Sequence, residues 1–503
     1  MARQISKRIK IMGTITAQTP LHVGGVGTDP TVDLPLAVNG QNQIYIPGTS
    51  LAGAFRNWME DHELDINTLW GFQKEDQGHA SFIIIDDAVV KLPEGAIAEL
   101  RDHVGIDRFL GTASDKTKFD RAILPKGSQF PLEMTIDIAK KTPLNFDAIE
   151  QLLYTLKHEG LRLGAAKTRG LGLIQASDLQ RQDYDFSSFN QTLAALKSQS
   201  TQAKGKPYEP QKTIDSQTLK LSIHWEPIGA VMVKSGQDGV AVDILPLSSR
   251  DNDKIAFVLP GSAIKGALRS QSERILRTVL QGSAKPNDKL QDQLEHPQLD
   301  LAQWLFGKSG TGAKTETLDF GRAALRVDDC YCQKHLNPQA WQAVEQAMDD
   351  PQSPNTGTLR GSLDAAGLTD TQQAFHVAID RWTGGAADQM LFTALEPFNL
   401  EWNPIELTLD LKRLPQEHCS VVQALLLLTL RDLAAGRIPL GYGVNRGYGS
   451  LRVNKICVKS SAPEFNDKEI TFLNGAIAGI DITQLNTAWQ TWLNPEISQE
   501  VTT

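Results

Sequence analysis

Several stretches of this chain occur twice, in the same order. Val32-Asp33-Leu34-Pro35-Leu36 returns as Val242-Asp243-Ile244-Leu245-Pro246-Leu247. Pro47-Gly48-Thr49-Ser50-Leu51-Ala52-Gly53-Ala54-Phe55-Arg56 returns as Pro260-Gly261-Ser262-Ala263-Ile264-Lys265-Gly266-Ala267-Leu268-Arg269. Leu163-Gly164-Ala165-Ala166-Lys167-Thr168-Arg169-Gly170-Leu171-Gly172 returns as Leu440-Gly441-Tyr442-Gly443-Val444-Asn445-Arg446-Gly447-Tyr448-Gly449. A repeat this long is no solenoid unit, so each copy has to bury a core of its own. The chain is therefore expected to hold a duplicated domain whose halves superpose.

The coarse periodicities of the two halves agree. Strand patterns over Arg8–Ala17, Ser81–Val90, Phe130–Ile138 and Leu171–Gln175 alternate with helical patterns over Leu51–Asp61 and Phe146–Glu159. In the second half, strands are expected over Leu219–Trp225, Ala323–Asp328, Ile405–Leu411 and Ser450–Val453. Helices are expected there over Ala263–Leu280 and Val421–Ala435. The order βαββαβ predicts two tandem ferredoxin-like α+β domains, each an antiparallel sheet backed by two helices. We place the first domain at 1–176, a linker at 177–215 and the second domain at 216–459, followed by a tail at 460–503. The linker is rich in Gln, Ser, Lys and Asp, with a short helix at its centre. The second domain carries polar, poorly periodic insertions near 281–300 and 333–373, read as loops or small surface helices. The tail has a helical signal over Ile482–Leu493.

Composition excludes some classes. An apolar share of 41% supports ordinary cores, and the longest apolar run, Val421–Leu430, is too short to span a bilayer. The basic first residues are not followed by a signal-peptide core, so a cytoplasmic protein is expected. The four cysteines form no C-x-x-C pair, so neither a zinc ribbon nor a disulfide scaffold is supported. The net charge of −9 disfavours non-specific attraction to nucleic acid, but it does not exclude a local basic track. Gly307–Thr315 and Gly160–Thr168 resemble phosphate loops, but their gaps are wrong for one. The histidines, His22 included, fall in no catalytic spacing, and His22 reads as a loop or strand-end residue.

The repeated segments are where chemistry is expected. Glycines let a backbone approach phosphates, and Arg169 and Arg446 offer a forked donor at the same place in each loop. Lys167, Gly170, Asn445 and Gly447 join them as candidate anion contacts. The Pro-Gly-Thr/Ser segments precede helices, so Gly48, Thr49, Ser50, Gly261 and Ser262 are candidates for presenting free amides to an anion. An ordinary N-cap on Thr49 or Ser50 is the competing reading. Lys265 is expected to face the same anion, with Arg56 and Arg269 nearby or engaged in salt bridges. Asp33 and Asp243 precede these helix starts. They read either as turn-formers or as carboxylates that hold a divalent metal together with water and substrate oxygens. Asp29 and Asp238 are rivals in the same loops. A fourth repeat sets Gly105-Ile106-Asp107-Arg108-Phe109-Leu110-Gly111 against Ala378-Ile379-Asp380-Arg381-Trp382-Thr383-Gly384. An exposed hairpin there would let Phe109 or Trp382 wedge between bases, with Arg108 and Arg381 beside them; a structural Asp-Arg pair is the alternative.

The succession Leu-His-Val-Gly-Gly, Asp-Leu-Pro, Tyr-Ile-Pro-Gly-Thr-Ser, Ile-Asp-Arg and a late glycine-rich loop resembles the RAMP superfamily. It is most similar to the backbone (Cas seven) subunit of type III CRISPR effector complexes, in the fused double form of the type III-D variants. The resemblance implies a modified RRM-like core that grips guide RNA (crRNA) and a hairpin thumb that interrupts the guide–target duplex. It also implies cleavage of complementary target RNA beside each thumb. By motif position the aspartate needed for metal-dependent cleavage, with Mg²⁺ the expected ion, falls on Asp33 and Asp243. An extra residue separates Asp243 from Pro246, and Ala52 stands where the second copy has Lys265. The implied partners are guide RNA, target RNA, other RAMP subunits and a large type III subunit, with no membrane. Three readings follow: a target-RNA endoribonuclease and scaffold, a non-catalytic guide-binding scaffold, or a metal-free guide-processing ribonuclease. The last usually needs a histidine at the site, where the repeats carry aspartate.

Overall fold

A computed structural model of the chain describes residues 4–494, apart from 26–30, 76, 141–143, 145, 187, 199–204, 215–216, 237, 309–321, 349–357, 461–467 and 474–475. Two compact units emerge. The first comprises Met1–Leu100, Asp120–Lys167 and Leu171–Asp215, and the second comprises Arg101–Phe119, Thr168–Gly170 and Ser216–Thr503. Two short pieces of the first repeat thus group with the second unit.

In the first repeat the elements run β1 (Ile5–Ala17), α1 (Gly48–Asp61), β2 (Ile83–Ile85), hairpin strands β3 (Glu99–His103) and β4 (Phe119–Ile123), β5 (Gln129–Ala139), α2 (Phe146–His158), β6 (Leu161–Arg162) and β7 (Leu173–Asp185). The main sheet orders as β6-β7-β1-β5-β2, antiparallel throughout. Without the short β6, the last, first, third and second core strands stand side by side, as the βαββαβ pattern requires. Alternation along β1 sends Ile9, Ile11 and Ile15 inward, and α1 meets them with Leu51, Phe55 and Met59 at intervals of four. Each such burial contributes about 1.5–3 kcal/mol.

The second repeat runs β8 (Thr218–Pro227), α3 (Gly261–Val279), β9 (Leu325–Val327), hairpin strands β10 (Thr371–Ile379) and β11 (Ala386–Pro397), β12 (Ile405–Asp410), α4 (Cys419–Ala434), β13 (Leu451–Ser460), β14 (Lys468–Leu473), β15 (Ala476–Ala478) and α5 (Thr483–Leu493). Its sheet orders as β9-β12-β8-β13-β14-β15. Strands β9-β12-β8-β13 repeat the order of the first sheet. Ile223 of β8 pairs Ile405 on one side and Ile456 on the other, at the centre of the core.

Several expectations need revision. The last strand of the first repeat does not stop at Gln175; it continues to Asp185, inside the stretch read as linker. Lys206–Pro207 then pairs with Gln180 and Arg181, so the start and end of that linker belong to the sheet. The strand read over Ser81–Val90 is broken between Ile85 and Ala88, at Asp86 and Asp87. The insertions are not only surface material: Pro338–Glu345 buries Trp341 and Val344, and Leu359–Ala365 buries Leu359 and Leu363. Their helices are short, which hides the period of 3.6. The tail helix is present, and Leu485 and Trp489 sink into the same core, while β14 and β15 extend the sheet. Residues 495–503 lie outside the described residues, as does Asp29. Among the described residues, no helix is long and apolar enough to cross a membrane.

Candidate functional site

Each repeated aspartate is held by the return strand of the hairpin that follows it. In the first unit the Asp33 amide donates to Asp120 Oδ1 at 2.7 Å, and the Asp120 amide donates to Asp33 Oδ2 at 3.0 Å. In the second, the Asp243 amide donates to Thr393 Oγ1 at 3.0 Å. Asp243 Oδ2 accepts from the Thr393 amide at 2.7 Å and from its hydroxyl at 2.9 Å. The next residues extend the match: Leu34 bridges Arg121, and Ile244 bridges Ala394, both in parallel. The amide of Thr393 holds the Asp243 carboxyl below the usual carboxylate range, helped by its hydroxyl. Asp33 and Asp243 are both exposed. Asp238 lies apart from this pairing, 3.7 Å from Lys234.

The two sites differ as metal ligands. Asp33 Oδ1 and Asp120 Oδ2 take no part in the reciprocal bonds, so two cross-bonded residues each keep a hard carboxylate oxygen. At the second site Thr393 replaces Asp120, and one carboxylate remains. Among the described residues, no group of three or more His, Cys, Asp or Glu could hold a metal ion by protein ligands alone. The pair Asp33–Asp120 therefore fits a hard divalent ion completed by water and substrate oxygens, and Asp243 alone fits it less well.

The glycine loops have the conformation their sequence demands. Gly164, Gly170 and Gly172 have φ of 79°, 94° and 90°, and Gly441, Gly447 and Gly449 have 94°, 90° and 80°. A Cβ on Gly164 would strike the carbonyl of His22, and one on Gly441 that of Met232. Arg169, Asn445, Arg446 and Gly447 are exposed, and Lys167 is half-buried. Arg446 lies over the rings of Tyr442 and Phe392, 4.8 and 5.3 Å from their centroids, which fixes its guanidinium.

The first amide of each repeated helix is already taken. Pro47 and Pro260 are the N-caps, and neither helix has a side-chain cap, so Thr49 and Ser50 lie inside the first turn. The Gly48 amide donates to Asp87 Oδ1 at 2.7 Å, and the Gly261 amide to Asp329 Oδ1 at 2.8 Å. The chain supplies its own anion to each helix, which displaces the expected role of Gly48 and Gly261. Thr49 is exposed, and Ser50, Ser262 and Arg56 are half-buried.

Lys265 does not face solvent. It is 5% exposed, and its Nζ donates to the Leu325 carbonyl at 2.7 Å and to Thr168 Oγ1 at 3.0 Å. Burial, with Arg169 and Arg269 nearby, pushes its pKa well down. Arg269 is also structural, with Nε 2.6 Å from Glu273 Oε1 and Nη1 on the Gly307 carbonyl. Arg108 is paired on the same carboxylate, Nε to Glu273 Oε2 at 2.7 Å. The Asp-Arg motif is thus not an internal pair. Asp107 caps the hairpin turn through the amides of Phe109 and Leu110, and Asp380 does so through Trp382 and Thr383. These amides hold both carboxyls below the usual range. Phe109 is 52% exposed and Trp382 97%.

His22 is a buried loop residue, its Nδ1 2.7 Å from the Ala122 carbonyl, and burial lowers its pKa. Burial pushes the Cys330 thiol up to about 12, which suits a core residue and not a nucleophile.

Some matched residues escaped the sequence reading. Asp87 and Asp329 end Asp86-Asp87 and Asp328-Asp329, each after a strand. The hairpin repeat also begins earlier, with His103-Val104 matching His376-Val377. His103 stacks on Phe119 at 4.9 Å, and His376 on Phe392 at 5.1 Å. In the second unit alone, Tyr448 of the glycine loop bonds His376 and the buried Glu396 of the hairpin. Leu171 and Ile123 stand at the corresponding positions of the first repeat.

The family model of the RAMP superfamily matches residues 14–175 and 247–452, one stretch in each repeat. The chain belongs to the RAMP superfamily. No curated protein matches it. The two matched stretches include Asp33, both Pro-Gly helix starts, both hairpins and both glycine loops, while Asp243 lies just before the second.

Proposed function

We propose that this RAMP protein is a fused double backbone subunit of a type III CRISPR effector complex, of the type III-D kind. It binds crRNA along the exposed glycine loops and cleaves complementary target RNA beside Asp33 and Asp243. The observation that carries this reading is the recurrence of one arrangement: an exposed loop aspartate locked to the return strand of a hairpin with an exposed aromatic tip. A turn-forming aspartate would bond its own loop, whereas these two reach across to another element.

Asp33 with Asp120, and Asp243 at the second site, are the residues that would hold a divalent ion such as Mg²⁺. Such an ion, when bound, supplies charge stabilisation to the phosphate. Arg169, Asn445 and Arg446 are the backbone contacts of the guide. Arg446 is held between rings and meets phosphate with little rotamer freedom to lose. Lys265, Arg269 and Arg108 are removed from the RNA surface, since their charges are spent inside the protein.

The test is the product pattern of the assembled complex on a matched target. Asp33→Ala should remove one band and Asp243→Ala a different one, with target binding retained and EDTA reproducing the double variant. Unchanged bands in the double variant would favour the non-catalytic scaffold. Cleavage that persists in EDTA would favour metal-free processing.

A further inference from the structure

We propose that Tyr448, Glu396 and His376 are positioning residues: together they latch the second glycine loop to the second hairpin and hold Arg446 ready for a guide phosphate. The inference rests on reading the glycine loops as guide contacts, and it adds the residues that keep one of them in place. Tyr448 lies on the loop, while His376 and Glu396 lie on β10 and β11 of the hairpin. The Tyr448 hydroxyl donates to Glu396 Oε1 and lies 3.0 Å from His376 Nε2. His376 Nε2 is itself 3.2 Å from the same carboxylate oxygen. Glu396 is 5% exposed, and a buried carboxylate needs such partners. Burial, with Glu396 beside it, pushes the pKa of the Tyr448 hydroxyl up, so it keeps the proton that it donates.

The latch sits beside the arginine that it serves. Arg446, two residues before Tyr448, lies over Tyr442 of the loop and over Phe392 of the hairpin. His376 stacks on Phe392 at 5.1 Å, with the ring planes 19° apart. The clamp on Arg446 therefore takes one ring from each element, and it lasts only while loop and hairpin stay together. Tyr448 ties them.

The first repeat shows what has been added. His103 still stacks on Phe119, but Leu171, Ile123 and Ala165 stand at the positions of Tyr448, Glu396 and Tyr442. Leu171 and Ile123 are 2% and 0% exposed, so an apolar pair fills these positions in the same fold. Gly443 belongs to the latch as well. Its φ is 70°, and its counterpart Ala166 adopts 55°, so the turn itself admits a Cβ. A Cβ on Gly443 would strike the Tyr448 ring. Glycine is needed there because of the tyrosine. Three differences between the repeats, at 396, 443 and 448, thus serve one contact. An arginine that is already clamped has less freedom to lose on meeting phosphate than a free one.

The experiment is fluorescence anisotropy of the full chain with a labelled single-stranded RNA of guide sequence, over a series of salt concentrations. Arg446→Ala should weaken binding and flatten the salt slope by about one unit, since a phosphate contact is lost. Glu396→Ile with Tyr448→Leu installs the pair of the first repeat. It should weaken binding about threefold to tenfold at an unchanged slope, since the charge remains and only its restraint is gone. Glu396→Gln keeps an acceptor for the Tyr448 hydroxyl and should bind like the unmodified chain. Normal binding by Arg446→Ala would overturn the guide reading and the latch with it. If Arg446→Ala is weakened while the double variant binds normally, or loses slope as well as affinity, the latch alone is overturned.

Discussion

The two helix starts of this protein share a backbone and differ in what surrounds it. At the start of α1, Asp87 accepts from Gly48 and remains exposed, with Ala52 one turn along. At the start of α3, Asp329 accepts from Gly261 but is buried, bonded to Arg101, with Lys265 buried beside it. The carboxylate that completes the helix is present in both, so it is part of the domain and not an accessory. Arg101 and Lys265, which Ala374 and Ala52 replace in the repeat, occur only where the site is enclosed. There a buried carboxylate must be paired and buried carbonyls need a donor. Duplication supplied the geometry, and burial then set the charges.

That contrast can be broken first by stability. Asp329→Ala leaves Arg101 uncompensated in the interior and should cost about 3–5 kcal/mol of second-unit stability. Asp87→Ala removes one exposed helix-end bond and should cost about 1 kcal/mol. Denaturant unfolding of both variants reads the difference directly, and equal losses would mean that enclosure is not what separates them.

The paired aspartates give the next largest effect. Asp33→Ala should slow one scission by about a hundredfold or more if its carboxylate stabilises transition-state charge. Asp120→Ala should slow the same scission by about tenfold, as for a residue that positions a metal ligand. Thr393→Asp, which gives the second site its own second carboxylate, should lower the Mg²⁺ concentration needed for the other cut. Timed product analysis against Mg²⁺ measures all three. A second site indifferent to Thr393→Asp would show that Asp120 is only structural.

The smallest effect concerns His22, whose counterpart in the second repeat is Met232. Burial lowers its folded pKa below the unfolded value of about 6.5, so the unfolded chain binds more protons between the two values. The contribution is complete above the unfolded pKa and is lost as pH falls towards the folded one. Thermal unfolding of the first unit should therefore weaken gradually below about pH 6.5, and His22→Met should flatten that slope. A slope of the same size after the exchange would assign it to other groups.

Much of this molecule was legible in the chain. The βαββαβ order followed from alternating and helical periods, because one buried face per element imposes them. The positive-φ glycines of both loops were visible for a similar reason: their backbone approaches a neighbouring carbonyl, and a side chain there would collide. Asp33, Asp243 and the hairpin turns at Asp107 and Asp380 stood out because local backbone demands recur with the repeat. The short helices over 338–345 and 359–365 were not legible as core, since a turn or two carries too little period.

Partnership was decided by the tertiary structure. Asp33 is 87 residues from Asp120, and Asp243 is 150 from Thr393. Nothing local to either marks the other. Lys265 and Arg108 are cations in repeated motifs; sequence alone pointed Lys265 at phosphate and put Arg108 on a base-wedging hairpin or in a structural Asp-Arg pair. Only the folded chain shows that Thr168, Leu325 and Glu273 reach them first. A charge written in sequence is a capacity to bind an anion. Which anion it meets depends on which surfaces the fold brings within about 3 Å and shields from water.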